Sequence, residues 1–163
     1  MPVDSHELTQ TPSVRVGMLI RRTPDEVFRA LVDPSITTRF WFTKSTGKVT
    51  EGAELTWTWE MYGVSSSISV QEVQANSRVR FTWSGYNPER PTTVEFRLTP
   101  WQNESTYVVA TETGFTGDTD TVVKYAIDST GGFTFVLSAL KALLEHDIEL
   151  TLIADAHPPG LES

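Results

Sequence analysis

From residue 14 onward, apolar and polar side chains alternate in short runs, a two-residue period that marks strands with one buried face. Val14, Val16, Met18 and Ile20 alternate with Arg15, Gly17, Leu19 and Arg21. Leu55, Trp57 and Trp59 alternate with Thr56, Thr58 and Glu60; Ile68 and Val70 alternate with Ser67, Ser69 and Gln71. Val79, Phe81 and Trp83 then alternate with Arg78, Arg80 and Thr82, and Val94, Phe96 and Leu98 with Thr93, Glu95 and Arg97. The last run sets Tyr107, Val109 and Thr111 against Val108, Ala110 and Glu112. Turn-forming clusters such as Tyr62-Gly63, Asn76-Ser77 and Gln102-Asn103-Glu104 separate these runs, which predicts an antiparallel meander.

A helical period appears in two places. Thr23 can cap a helix with Pro24 at its first position and Glu26 completing a capping box, after which Val27, Phe28 and Leu31 share one face. Asp33-Pro34 ends that helix and starts a second short one that closes near Trp41. Toward the C-terminus, Phe133, Val136, Leu137, Leu140, Leu143 and Leu144 define a wide apolar helix face. Ser129 or Thr130 is the expected cap, with Gly131-Gly132 in the first turn and the end near His146-Asp147. Residues 121–128 are a segment of uncertain type, and 148–157 fit both a helix and an extended segment. Residues 1–13 read as a disordered tail, 14–157 as a single domain and 158–163 as a C-terminal tail.

The order strand, two short helices, five strands, long helix predicts an α+β fold: a curved antiparallel sheet of about six strands around the long C-terminal helix. The first strand is free to pair with the last. Accumulated twist curls such a sheet, and a curled sheet closes imperfectly on a helix, leaving a site for an apolar ligand. The candidate lining is Trp41, Trp57, Trp59, Phe81, Trp83 and Phe96, with Phe133 and Leu137 from the helix. The same rings also serve as ordinary core, since aromatics dominate core burial.

The run from Ser129 through Asp155, STGGFTFVLSALKALLEHDIELTLIAD, resembles the C-terminal signature of bacterial proteins similar to the activator of the heat shock protein 90 ATPase. The run from Arg21 to Trp41, RRTPDEVFRALVDPSITTRFW, resembles that family's opening. The family belongs to the START-like (SRPBCC) superfamily. The resemblance implies a helix-grip fold over about residues 14–157 and a hydrophobic cavity. It leaves the activity open: a non-enzymatic binder of a lipid-like or aromatic molecule comes first, an enzyme of the polyketide cyclase type second. A co-chaperone-like module acting on a heat-shock ATPase is third, with a chaperone or a homodimer as compatible partners.

Composition narrows the partners. The chain of 163 residues has 13 Lys and Arg against 21 Asp and Glu, a net charge of -8. That field repels phosphate backbones and anionic lipid, which argues against nucleic acid and membrane surfaces. There are no cysteines, which fits a reducing, cytoplasmic setting and removes thiol chemistry. The polar start, Met1 to Gln10, lacks the apolar core of a secretory signal, and no apolar stretch reads as long enough to span a bilayer. No two of His6, His146 and His157 have metal-ligand spacing, so neither a metal nor a cofactor is expected. Asp118 and Asp120 lack a calcium loop's closing Glu and read as a turn. Glu60 and Glu112 fall opposite the apolar residues of their strands and are expected in solvent. Arg78, Arg80 and Arg97 are expected to pair with Glu95 and its neighbours on the outer face.

Overall fold

A computed structural model describes residues 7–85 and 87–161. The expectations for residues 1–6, including His6, and for 162–163 fall outside that range. Seven strands form one antiparallel sheet: β1 Val14–Ile20, β2 Lys44–Ser45, β3 Glu54–Trp59, β4 Val64–Gln74, β5 Arg78–Trp83, β6 Thr92–Trp101 and β7 Ser105–Thr113. Their order across the sheet is β1-β7-β6-β5-β4-β3-β2, so β1 does pair with the last strand. To the expected strands the structure adds β2, whose two residues are too few to show a period. A bulge between Val70 and Glu72 in β4 adds local twist and helps the sheet curl.

Between β1 and β2 lie helix α1, Pro24–Val32, and the short α2, Pro34–Thr37. The Thr23 hydroxyl oxygen accepts from the Glu26 amide, and Pro24 occupies the first turn, where a missing N–H costs nothing. Asp33 caps α2 through the Ser35 amide at 3.0 Å. The buried Thr37 hydroxyl donates to the Ala30 carbonyl at 2.6 Å, tying α2 to α1, and the Trp41 amide bonds the Thr37 carbonyl at 3.0 Å. That extra turn beyond α2 aims the Trp41 ring inward.

The long helix, α3, runs Thr119–His146 and lies in the concave face of the sheet, the helix-grip arrangement. Its start differs from the expected one. Asp118 is the cap, accepting from the Thr121 amide at 2.8 Å, and that bond holds its carboxyl below the usual aspartate range. Ser129 and Thr130 therefore sit in the middle of the helix, as do Gly131 and Gly132. The physical reason is a buried stripe, Val122, Ala126, Ser129 and Phe133, that extends the apolar face two turns upstream. Among the described residues α3 is long and apolar enough to cross a membrane, which corrects the expectation that no stretch reaches that length. Here Phe133, Val136, Leu137, Leu140 and Leu143 are buried in the core instead. After His146 the chain is irregular through Thr151 and then forms α4, Leu152–Asp155, so residues 148–157 are partly extended and partly helical.

Adjacent glycines inside a helix each cost about 1 kcal/mol relative to alanine. Neither is required by close packing, since a Cβ added at Gly131 or Gly132 meets no atom within 4 Å. Gly131→Ala is accordingly expected to stabilise the protein by about 0.5–1 kcal/mol in urea unfolding. A loss of stability would mean that the helix needs glycine there after all.

The far end of α3 is tied to β1. Lys141 Nζ reaches the Leu19 carbonyl at 2.8 Å and Glu145 at 2.5 Å, and Glu145 accepts from the Arg21 amide at 3.0 Å. Lys141 and Glu145 stand four residues apart on α3, and the Glu145 side chain is only 8% exposed. Burial pushes its pKa up, but the Arg21 amide and the Lys141 ammonium outweigh it, so the carboxyl titrates below its ordinary 4.5. A carboxyl whose pKa falls on folding stabilises the fold fully above its unfolded value. That stability is lost as pH falls through the lower, folded value. The melting-temperature gap between the protein and Glu145→Gln is therefore expected to be constant above pH 4.5 and to shrink below it. A gap that widens on acidification would refute this account.

Candidate ligand cavity

The concave face carries the aromatic side chains that the alternation singled out. Trp41 sits at their centre, its ring 5.1 Å from Trp57, 5.6 Å from Phe96 and 6.0 Å from both Trp83 and Phe133. These contacts are edge-on, the preferred geometry for aromatic pairs. Trp57 stacks on Phe42 at 4.3 Å, and its buried indole N–H has no acceptor among the described residues.

The rings do not fill the space completely. A cavity of about 180 Å³ lies between the sheet and α3, bounded by Trp41, Trp59, Trp83, Phe133, Val136 and Ile153. Asp128, Ser129 and Gly132 complete its wall. Of the eight residues singled out from the sequence, Trp41, Trp59, Trp83 and Phe133 border this space. Trp57, Phe81, Phe96 and Leu137 are buried as core, with Phe81 packed against Trp57 and Phe96 against Trp41.

The C-terminal segment lies across the opening. Arg39 holds its start, bonding Glu149 at 2.6 Å and Asp147 at 3.2 Å. Tyr62 holds its end, donating to the Ile153 carbonyl and meeting the His157 ring at 6.0 Å. Ile153 borders the cavity and also an outer groove of about 640 Å³ between Tyr62, His157 and the outer side of α3. Asp128 and Gly132 also border both spaces, so the cavity and the groove are neighbours along α3.

One functional group was missed. Glu112 is fully buried on the concave face, which corrects its expected solvent position; Glu60 is exposed in a 3-10 turn beside Lys44. Pairing fixes the face of β7: Ala110 lies opposite Phe96, Glu112 opposite Val94, and Val108 and Ala110 are buried with them. Glu112 Oε2 accepts from the Trp83 indole at 2.8 Å and from the Thr92 hydroxyl, and Oε1 accepts from the Ser129 hydroxyl. Trp83 Nε1 also reaches Thr92 Oγ1 at 3.0 Å. Among the described residues no Lys or Arg pairs with Glu112. The carboxylate thus stands directly behind two residues of the cavity wall, Trp83 and Ser129. On the opposite face, Glu95 pairs with Arg80 at 3.1 Å and Arg97 at 3.0 Å, as expected, while Arg78 pairs with Glu72.

Comparison with solved structures returns this same architecture. The protein SSP2350 from Staphylococcus saprophyticus is 28% identical, with a TM-score of 0.73 over 86% of this chain and 96% of that one. The Aha1 dimer from Colwellia psychrerythraea is 22% identical, with a TM-score of 0.68 over 83% and 97% of the two chains. DynU16, from the dynemicin biosynthetic locus, is 22% identical with a TM-score of 0.74, covering 84% of this chain and 48% of its own. No curated protein matches the sequence significantly. The family model described as activator of Hsp90 ATPase homolog 1-like protein matches residues 21–145, most of the START-like domain just described, and the chain belongs to that family.

Proposed function

We propose that the protein binds a small apolar or aromatic molecule, without chemistry, in the cavity between the sheet and α3. The observation that carries this reading is the unfilled space of about 180 Å³ among Trp41, Trp59, Trp83 and Phe133. A dry cavity of about 150 Å³ lined by apolar side chains accepts a benzene-sized guest, so the volume suits one or two fused rings. Gly132 supports it, since the missing side chain leaves room at the cavity wall at a cost in helix stability. The test is a panel of one- and two-ring compounds and short acyl chains, read by tryptophan fluorescence and by thermal shift. Two of the five tryptophans border the cavity alongside Trp41, so occupancy must change the emission. Ligand at a hundred times its dissociation constant should add about 2.7 kcal/mol of stability. Neither signal across the panel would remove the binder reading.

A second reading, an enzyme of the polyketide cyclase type, is favoured by the hydrogen bond from Ser129 to Glu112. That bond sets a carboxylate behind a hydroxyl at the cavity wall. It requires turnover of a bound compound that stops in Ser129→Ala. A third, partner-based reading draws on the family name and on the dimeric Colwellia structure. In this reading the protein forms a homodimer or contacts a heat-shock ATPase in the cytoplasm. Light scattering and co-purification with the ATPase test it directly.

A further inference from the structure

The charges around the cavity carry the binder reading further and specify the guest. Among the described residues its wall has no Lys, Arg or His, and the ionisable member it does have, Asp128, is acidic and already paired with Lys124 at 2.8 Å. Behind the wall stands Glu112, fully buried and, among the described residues, held by the neutral donors Trp83, Thr92 and Ser129. In its ionised form this carboxyl has no partner cation among the described residues, so the space beside it favours a cation over an anion.

The wall itself is built from three indoles and a phenyl ring. Trp83 lies 6.0 Å from Trp41, 6.3 Å from Trp59 and 5.9 Å from Phe133. Ring faces carry negative quadrupole potential, and tryptophan attracts cations most strongly. Glu112 adds to this through Trp83. Accepting the indole N–H at 2.8 Å pushes electron density into the ring system, since hydrogen-bonded groups polarise one another.

We propose that the cavity takes the cationic head of an organic amine, a quaternary or bulky protonated ammonium, with any longer substituent leading past Gly132 into the outer groove. This rests on the binder reading. Trp83, Trp59, Trp41 and Phe133 contact the guest, and Glu112 is a positioning residue acting through Trp83 and Ser129.

The test compares choline, benzyltrimethylammonium and the neutral choline isostere 3,3-dimethylbutan-1-ol by calorimetry and tryptophan fluorescence on the intact protein. Choline is expected to bind at least about tenfold more tightly than its isostere, the margin of a desolvated cation–π contact. Glu112→Gln keeps the shape of the side chain and is expected to erase most of that margin while leaving the isostere's affinity unchanged. Merely structural damage would lower both affinities alike. Should Glu112→Gln not fold, Trp83→Phe, which keeps a ring but breaks the link to Glu112, must narrow the same ratio. Equal affinity for choline and its isostere, or an unchanged ratio in the variants, overturns the cation proposal and leaves an apolar binding site standing. No binding of any of the three probes overturns the cation proposal. If the wider panel of apolar compounds fails as well, the binder reading falls with it.

Discussion

Trp41→Ala is expected to destabilise the protein by about 3–5 kcal/mol, the range for removing a large buried aromatic from a core. Trp41 is 6% exposed, and its ring meets those of Phe42, Trp57, Phe81, Trp83, Phe96 and Phe133. Its loss removes the wedge between the strand aromatics and α3, and most of the flanking rings are anchored on β3, β5, β6 and α3, which cannot collapse into the void. Against a total of about 5–15 kcal/mol for a domain, this is a large share. Trp41→Phe should retain most of the edge-on contacts and cost about half as much or less. Urea unfolding checks both. An alanine variant within about 1 kcal/mol of the parent would mean that the ring is packed loosely.

Glu112→Ala is expected to cost about 2–4 kcal/mol by the same measurement. The direction has to be argued, because replacing a buried charge by an apolar group is sometimes neutral. Here the donors remain behind: the Trp83 indole and the Thr92 and Ser129 hydroxyls all lose their shared acceptor. Each orphaned buried donor costs about 1–3 kcal/mol. The sum is not reached, because Trp83 keeps Thr92 Oγ1 at 3.0 Å and Ser129 can turn toward a carbonyl of its own helix. Glu112→Gln retains an acceptor and the shape, and should cost about 1 kcal/mol. An alanine variant as stable as the glutamine variant would show that the network contributes nothing to the fold.

How much of this was legible beforehand depended on contrast between the faces of each element. In β3, β5 and β6 one face is apolar and the other polar, so Trp57, Phe81 and Phe96 were placed inside from spacing alone. In β7 the two faces read almost alike, with Tyr107 and Val109 on one and Val108 and Ala110 on the other. The alternation alone therefore leaves the phase of β7 ambiguous, and the wrong phase puts Glu112 in solvent. Only long-range pairing, which sets Ala110 opposite Phe96, resolves that phase. The start of α3 was missed because Gly131-Gly132 reads as a terminus. The spacing of Val122, Ala126, Ser129 and Phe133 was available in the chain and would have extended the helix and brought Ser129 to the inner wall. The element order and the overall frame were readable because helix caps and strand periods agreed with one another.

The pairing of β1 with β7 also has a consequence for how the chain is made. During synthesis the first strand leaves the ribosome with its apolar face exposed and its partner still unmade. It must wait until Thr113 has emerged before its ladder can close. The intervening meander can assemble locally in the meantime. Such a delay favours slow folding and exposes an open strand edge to neighbouring nascent chains. The newly made chain is therefore most vulnerable to aggregation while β1 stands alone.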